Sequence, residues 1–312
     1  MTGILYHGDF LNHNTGMGHP ERPSRITAIV DELKKEKYAD RLVWDEPRLA
    51  EEEEIAYVHS SDYIRHVKDT GKTGPQYLDS PDTPVSQGSF QAALRAAGAM
   101  ITAIDGVIEG KYTTAFCPVR PPGHHSLYSK AMGFCLFNNI AIGARHLNRR
   151  HNIHKILIVD FDVHHCNGTE AMLSGDNDIL LFSIHQYPHY PGTGAGSRLY
   201  SHSGGVMNAP MPPGSGEEEY MKVFTGRLSD QVNMFMPDFV LMSAGFDAHR
   251  DDPLGDIMLD SESFYRMTKA TVGFADMYCG GRIVSTLEGG YNLSALAESA
   301  GRHVDALLEA GG

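Results

Sequence analysis

Two carboxylates and an imidazole alternate in VDFDVHH, residues 159–165. In an extended chain, successive side chains point to opposite faces, so Asp160, Asp162 and His164 share one side while Phe161 and Val163 take the other. Adjacent buried carboxylates repel, and one of them holds a proton unless a cation lies between them. The pattern therefore predicts a metal centre. Asp247, which closes the apolar run DFVLMSAGFD (238–247), is placed to add a third ligand from across a strand rim. Two carboxylates and an imidazole with an open fourth position describe a catalytic rather than a structural zinc site. The same donors accept Fe2+ or Co2+, with zinc the expected occupant.

RPPGHH (120–125) follows with two prolines and a glycine that stiffen the approach to His124 and His125. A general acid or base must be held near the water it serves, and with three metal ligands already assigned, proton transfer is the better use of this pair. Asp160 and Asn167 are candidate acceptors for their far ring nitrogens, and a carboxylate raises imidazole basicity more than an amide does. Tyr291 in EGGYN can donate a hydrogen bond to a developing oxyanion. In isolation each feature has an ordinary reading, as a surface turn, a cap or a packing ring; their company gives them weight.

These residues need a scaffold that brings five segments together. Apolar runs without alternation occur at 113–117, 155–162, 178–185, 238–247 and 282–290, as suits strands buried on both faces. Helical periodicity lies between and around them, at 24–37 with Ser24 as N-cap, 87–109, 136–150, 217–235, 261–278 and 293–309. The expected fold is α/β, one domain over 1–312, with a mostly parallel central sheet covered by helices on both faces. Ligands in such sheets bind beyond the carboxyl ends of the strands, and each of the five runs leads into a polar motif there. The Gly-, Pro-, Asn- and Ser-rich segments 11–23, 71–90 and 186–216 are read as pocket walls.

Composition narrows the partners. The chain of 312 residues carries 26 Lys plus Arg against 39 Asp plus Glu, a net charge of −13, which repels a phosphate backbone. Nucleic acid is not expected, and a cationic substrate is compatible. Cys117, Cys135, Cys166 and Cys279 form no C-x-x-C pair, which argues against a disulfide framework or zinc knuckle and for a reducing compartment. The N-terminus has no signal-like segment and no run is long enough to span a bilayer, so a soluble, cytoplasmic protein is expected. The Glu run 51–54 reads as a solvated helix face.

HPERPSR (19–25), RPPGHH, GFCLFNN (133–139), VDFDVHHCNGT (159–169), HYPGTG (189–194), SAGFDAH (243–249) and LEGGYN (287–292) occur in this order over nearly the whole chain. Together they resemble the zinc-dependent histone deacetylase superfamily, which includes acetylpolyamine amidohydrolases and bacterial amidohydrolases on an arginase-like fold. The resemblance implies Asp162, His164 and Asp247 as zinc ligands, His124 and His125 as the acid and base pair, and Tyr291 as the carbonyl-polarising phenol. It further implies Phe134 and Tyr190 as walls of an acyl-lysine tunnel, with Gly133 between them and the zinc. A structural potassium ion is implied at Asp160, Asp162, His164, Ser183 and Ile184, and a rim acid at Asp82. Arg22 or Arg25 would border an internal channel.

Four positions depart from the family pattern. Asn167 replaces an Asp, as in class II and bacterial members. Cys166 replaces a Gly, which is uncomfortable if the position needs positive φ. Tyr190 replaces a Phe. Leu254 stands where polyamine-specific relatives carry a gatekeeping Glu. The resemblance implies removal of short acyl groups from N-acylated amines, acyl-lysine first and acetylpolyamines as the alternative; a catalytically silent acyl-lysine-binding module is the third reading. The oligomeric state is open, a homo-oligomer included.

Overall fold

The apolar runs at 114–117, 156–160, 179–186, 239–244 and 283–287 are the inner strands of one sheet, with every residue buried. In chain order the strands are β1 (Thr2–Leu5), β2 (Leu42–Asp45), β3 (Gln76–Tyr77), β4 (Pro84–Val85), β5 (Thr114–Cys117), β6 (Ile156–Asp160), β7 (Ile179–Gln186), β8 (Arg198–Leu199), β9 (Gly205–Met211), β10 (Phe239–Ala244) and β11 (Ile283–Leu287). Nine of them form a sheet of order β2-β1-β5-β11-β10-β6-β7-β9-β8, and β3 with β4 makes a separate hairpin. All pairings in the large sheet are parallel except that of β8 with β9. This computed structural model describes residues 1–73, 76–199 and 203–311.

The helices are α1 (Ser24–Leu33), α2 (Glu52–Ile55), α3 (Ser61–Thr70), α4 (Ser89–Ile108), α5 (Asn139–His151), α6 (Asn167–Leu173), α7 (Glu217–Val223), α8 (Ser229–Phe235), α9 (Ser261–Cys279) and α10 (Leu293–Leu307). A π-helical turn at Phe224–Leu228 joins α7 to α8, so 217–235 is one continuous helical run, as its periodicity predicts. Packing of α1 and α9 on α10, and of α4 on α5, gives separate helical layers that cover the parallel strands. Asparagines punctuate the site-bearing turns: Asn138 accepts from the Ala141 N–H to start α5, and Asn292, directly after Tyr291, caps α10.

Several sequence expectations are corrected. Ser24 is the first residue of α1, and Pro23 occupies the cap position without a side-chain bond. β1 and β2 were not anticipated, being only four residues each. β9 lies inside the stretch 186–216 read as loop, where Asn208 and Pro210 interrupt its apolar run GVMNAPM. The Glu run is solvated only at Glu51, Glu52 and Glu53; Glu54 turns inward, 8% exposed, and takes both Arg48 nitrogens at 2.5 and 2.7 Å.

Candidate active site

Register sets the site's floor. Asp160 at the end of β6 pairs with Ser243 of β10 on one side and Ser183 of β7 on the other. Beyond Asp160 the chain turns tightly: the Asp162 N–H donates to Asp160 Oδ1 at 3.1 Å and the His164 N–H to Asp162 Oδ1 at 2.9 Å. His164 Nδ1 lies 3.0 Å from Asp162 Oδ1 and 3.2 Å from Asp247 Oδ2. One oxygen or nitrogen from each of Asp162, His164 and Asp247 falls within 4.8 Å of the others. Asp247 Oδ1 accepts the Val163 N–H at 2.9 Å, whereas its fully buried Oδ2 has only the His164 ring beside it and no aligned hydrogen bond among the described residues.

The backbone leaves room for this cluster. A β-carbon on Gly289 would lie 1.9 Å from Asp247 Oδ2, and one on Gly245 would lie 2.1 Å from Asp162 Oδ2. Burial lowers the proton affinity of His164, but the Asp162 and Asp247 carboxylates outweigh it and lift the ring to about 10. Burial likewise opposes a charged His124, and Asp162, Asp160 and Glu288 lift it to about 10. Desolvation and Asp162 raise the Asp247 carboxyl. The donor set, the orphaned oxygen and a field that favours positive charge fit a divalent cation.

Glu288 holds the His124–His125 turn from below. Its Oε2 accepts the Gly123 and His124 N–H groups at 2.7 and 3.1 Å, fixing the turn after β5. His124 Nδ1 then lies 3.1 Å from Asp160 Oδ2, and His125 Nδ1 lies 2.7 Å from Asn167 Oδ1 at the start of α6. The two rings sit 4.0 Å apart, in unequal environments. Burial, followed by the neighbouring His124 and His164, drives His125 well below its usual range. The turn at Gly133, φ +57, brings its backbone against His125, where a β-carbon would stand 2.3 Å from the ring.

Above the floor is a cavity of about 230 Å³ lined by Asp82, His125, Gly133, Phe134, His164, His189, Tyr190, Leu254 and Tyr291. The Tyr190 ring meets His125 edge-on at 5.2 Å, and Phe134 meets Tyr291 at 5.8 Å. Burial and the facing Asp82 carboxylate keep the Tyr190 phenol protonated. All five inner strand ends deliver residues to this floor or cavity. Of the segments read as walls, 71–90 contributes Asp82 and 186–216 contributes His189 and Tyr190. Segment 11–23 does not line the cavity and instead supports it, with His19 edge-on to Phe134 at 4.8 Å.

The residues expected at a potassium site lie at neighbouring strand ends: Ser183 is the register partner of Asp160 and bonds His185 Nδ1 at 2.9 Å, with Ile184 buried next in β7. One expectation is corrected. Cys166 has φ −77°, ordinary for any residue, so the missing glycine causes no strain; its thiol is buried and pushed well above its usual range by desolvation. Of the two arginines, Arg22 is exposed and Arg25 is buried: its Nε and Nη2 donate to the Gly290 and Glu288 carbonyls at 2.6 Å, and its guanidinium lies 4.9 Å from the Tyr291 ring centre.

Sequence reading assigned no role to Glu288, Asp252, His189 or the Glu21–Arg120 pair. Asp252 accepts the Tyr291 and Asn292 N–H groups at 2.6 and 3.2 Å, orienting the phenol. His189 stacks on His164 at 5.0 Å. Glu21 receives Arg120 and Arg25 in a fully buried group. The available signal was a charge set in an apolar run, as Glu288 is in RIVSTLEGG.

Fold and site define a class: a mostly parallel α/β sheet of the arginase and deacetylase type, with a metal-type donor cluster and a histidine pair at the carboxyl ends of its strands. The chain belongs to the histone deacetylase domain family, whose pattern matches residues 19–307. It is 36% identical to a probable deacetylase of Archaeoglobus fulgidus over 99% of this chain and 89% of that one. It is 37% identical to histone deacetylase 14, chloroplastic, of Arabidopsis thaliana, covering 96% and 74% of the two chains. It is also 35% identical to human polyamine deacetylase HDAC10, covering 98% of this chain and 48% of that protein. The crystal structure of the HDA15 HD domain superposes with a TM-score of 0.91 at 34% identity, over 99% of this chain and 88% of the other.

Proposed function

We propose that this protein is a zinc-dependent deacetylase that hydrolyses the amide of N-acetylated amines, with acyl-lysine side chains as the first substrate class. The observation that carries the reading is the convergence of Asp162, His164 and Asp247 beneath an aromatic-walled cavity edged by His125 and Tyr291. Asp162, His164 and Asp247 would hold the zinc. Such an ion supplies Lewis-acid polarisation of the amide carbonyl and makes water acidic enough to attack at neutral pH. His125, neutral and steadied by Asn167, takes the proton of the attacking water at Nε2. His124, paired with Asp160, returns a proton to the leaving amine, and the proton taken by His125 resets the pair. The Tyr291 hydroxyl donates to the carbonyl oxygen as negative charge develops there. Phe134, Tyr190 and Leu254 exclude water along the alkyl chain of the substrate.

Asp82 at the mouth and the net charge of −13 favour a cationic or backbone-donating substrate. Leu254 in place of an acidic gatekeeper supports acyl-lysine over acetylpolyamine. A structural potassium ion at Asp160, Asp162, His164, Ser183 and Ile184 belongs to the same proposal. Hydrolysis of an acetyl-lysine peptide and of acetylspermidine by zinc-loaded protein, with Asp247→Ala in parallel, tests it. Turnover of the peptide that is lost in Asp247→Ala is the expected result. Turnover of acetylspermidine alone moves the substrate to polyamines, and zinc binding without turnover of either moves the reading to a silent module.

A further inference from the structure

A second donor cluster lies on the opposite side of the sheet's long axis from the catalytic rim. Helices α4 and α5 lead into the amino ends of β5 and β6, so their last turns lie at the amino edge of the sheet. There Asp105 of α4 meets His146 and His151 of α5. Both imidazole Nε2 atoms lie 2.7 Å from the same Asp105 Oδ1, and one donor atom from each of the three residues falls within 4.8 Å of the others.

Hydrogen bonding alone accounts poorly for this arrangement. Asp105 Oδ1 can accept from both rings only if each carries its proton on Nε2. His146 is 3% exposed, and its Nδ1 has no hydrogen-bond partner among the described residues, so either tautomer leaves a buried nitrogen unsatisfied. The surroundings favour positive charge. The carbonyl ends of two helices converge here and contribute partial negative charge. A cavity of about 490 Å³ opens beside His146 and Asp105, lined also by Glu51, Glu53 and Glu54, with Arg48 and Arg150 as its cations. Arg48 is already paired with Glu54.

We propose that Asp105, His146 and His151 form a second divalent-metal site, of the borderline transition-ion class that zinc, cobalt and nickel represent, with an open position toward the cavity. Two imidazoles and one carboxylate are the donors such ions take, whereas calcium and magnesium prefer oxygen alone. Ion binding would displace the Nε2 protons and clamp the ends of α4 and α5 together, far from the catalytic floor.

The test is metal stoichiometry by mass spectrometry after dialysis of metal-stripped protein against buffered micromolar Zn2+, with thermal unfolding read on the same samples. Wild type is expected to hold one more zinc per chain than His151→Gln, and more than tenfold weaker binding is expected for that extra equivalent in the variant. His151 is partly exposed, so His151→Gln keeps the fold even if His146→Ala does not. Asp247→Ala should retain the amino-edge equivalent, and added zinc should raise its unfolding temperature but not that of Asp247→Ala combined with His151→Gln. Equal stoichiometry in wild type and His151→Gln overturns the inference, whether or not the catalytic reading survives. Deacetylase turnover of His151→Gln relative to wild type reports separately on the catalytic floor.

Discussion

Asp162 and Asp247 were legible as a pair because each closes an apolar strand run, and a carboxylate in that setting calls for a partner. Gly245 and Gly289 carried no such signal, yet they decide whether the carboxylates can approach one another. The Gly289 backbone is held by donation to Asp162 Oδ2 at 2.8 Å, and a β-carbon there would overlap Asp247 Oδ2. Gly289→Ala is therefore expected to weaken zinc binding by about 10–100-fold, as other changes around metal ligands do, with turnover lost in proportion. Zinc titration with a competing chelator checks this; unchanged affinity would mean that the strand end shifts to accept the methyl group. Tyr291 gives a different signature. Tyr291→Phe removes one donor to the developing oxyanion and leaves the ligands in place, so kcat should fall by about 10²–10³-fold with zinc content and KM nearly unchanged. A fall in zinc content in that variant would instead assign the ring a structural role.

At the scale of elements, the five inner strands could be read because both faces are covered and their apolar runs are unbroken. The edges could not: β1 and β2 are short, and β9 hides behind Asn208 and Pro210. The α6 start shows the limit of reading a departure by residue type alone. A cysteine in place of a glycine suggested strain, but its φ of −77° removes that cost. Cys166→Gly is accordingly expected to lower stability by about 1 kcal/mol, from greater chain freedom in the unfolded state and a lost buried thiol, while turnover is kept. Urea unfolding checks the sign, and a more stable variant would show that the native backbone there is strained after all. All four thiols are buried and pushed upward by desolvation, with Cys279 at about 12. Alkylation of the native protein at pH 7.5 should therefore proceed only through unfolding.

Across the whole molecule, burial and neighbouring charge set two groups apart among the 17 histidines. His124 and His164 face carboxylates and gain positive charge, whereas His13, His59, His185 and His303 are buried and held neutral. Desolvation lowers these four to about 3, 4, 3 and 3. His303 illustrates why: it is enclosed between Thr268 Oγ1 at 2.7 Å and Ser285 Oγ at 2.9 Å, with no carboxylate to balance a charge. In the unfolded chain each titrates near its ordinary value of about 6.5. Below that pH the unfolded state binds more protons than the folded one, so stability must fall as pH drops from about 6.5 toward 4. One such proton is worth about 1.4 kcal/mol per pH unit, and four give a slope of about 3–5 kcal/mol per unit near pH 5. Glu21 adds to this at lower pH: Arg120 and Arg25 outweigh burial and hold it at about 2, so its contribution is complete above about 4.5 and is lost as pH falls toward 2. His124 and His164 do not oppose the trend, because groups lifted in the folded state contribute fully below 6.5 and lose that contribution only as pH rises. Chemical unfolding between pH 7 and 5 should therefore show a steep loss of stability that begins near 6.5, above the range where carboxylates titrate. A profile flat to pH 5 would mean that these imidazoles reach water or a counter-charge in the folded protein, and a slope reduced by about a quarter in His303→Gln would assign one share of the loss to the helix-covered core.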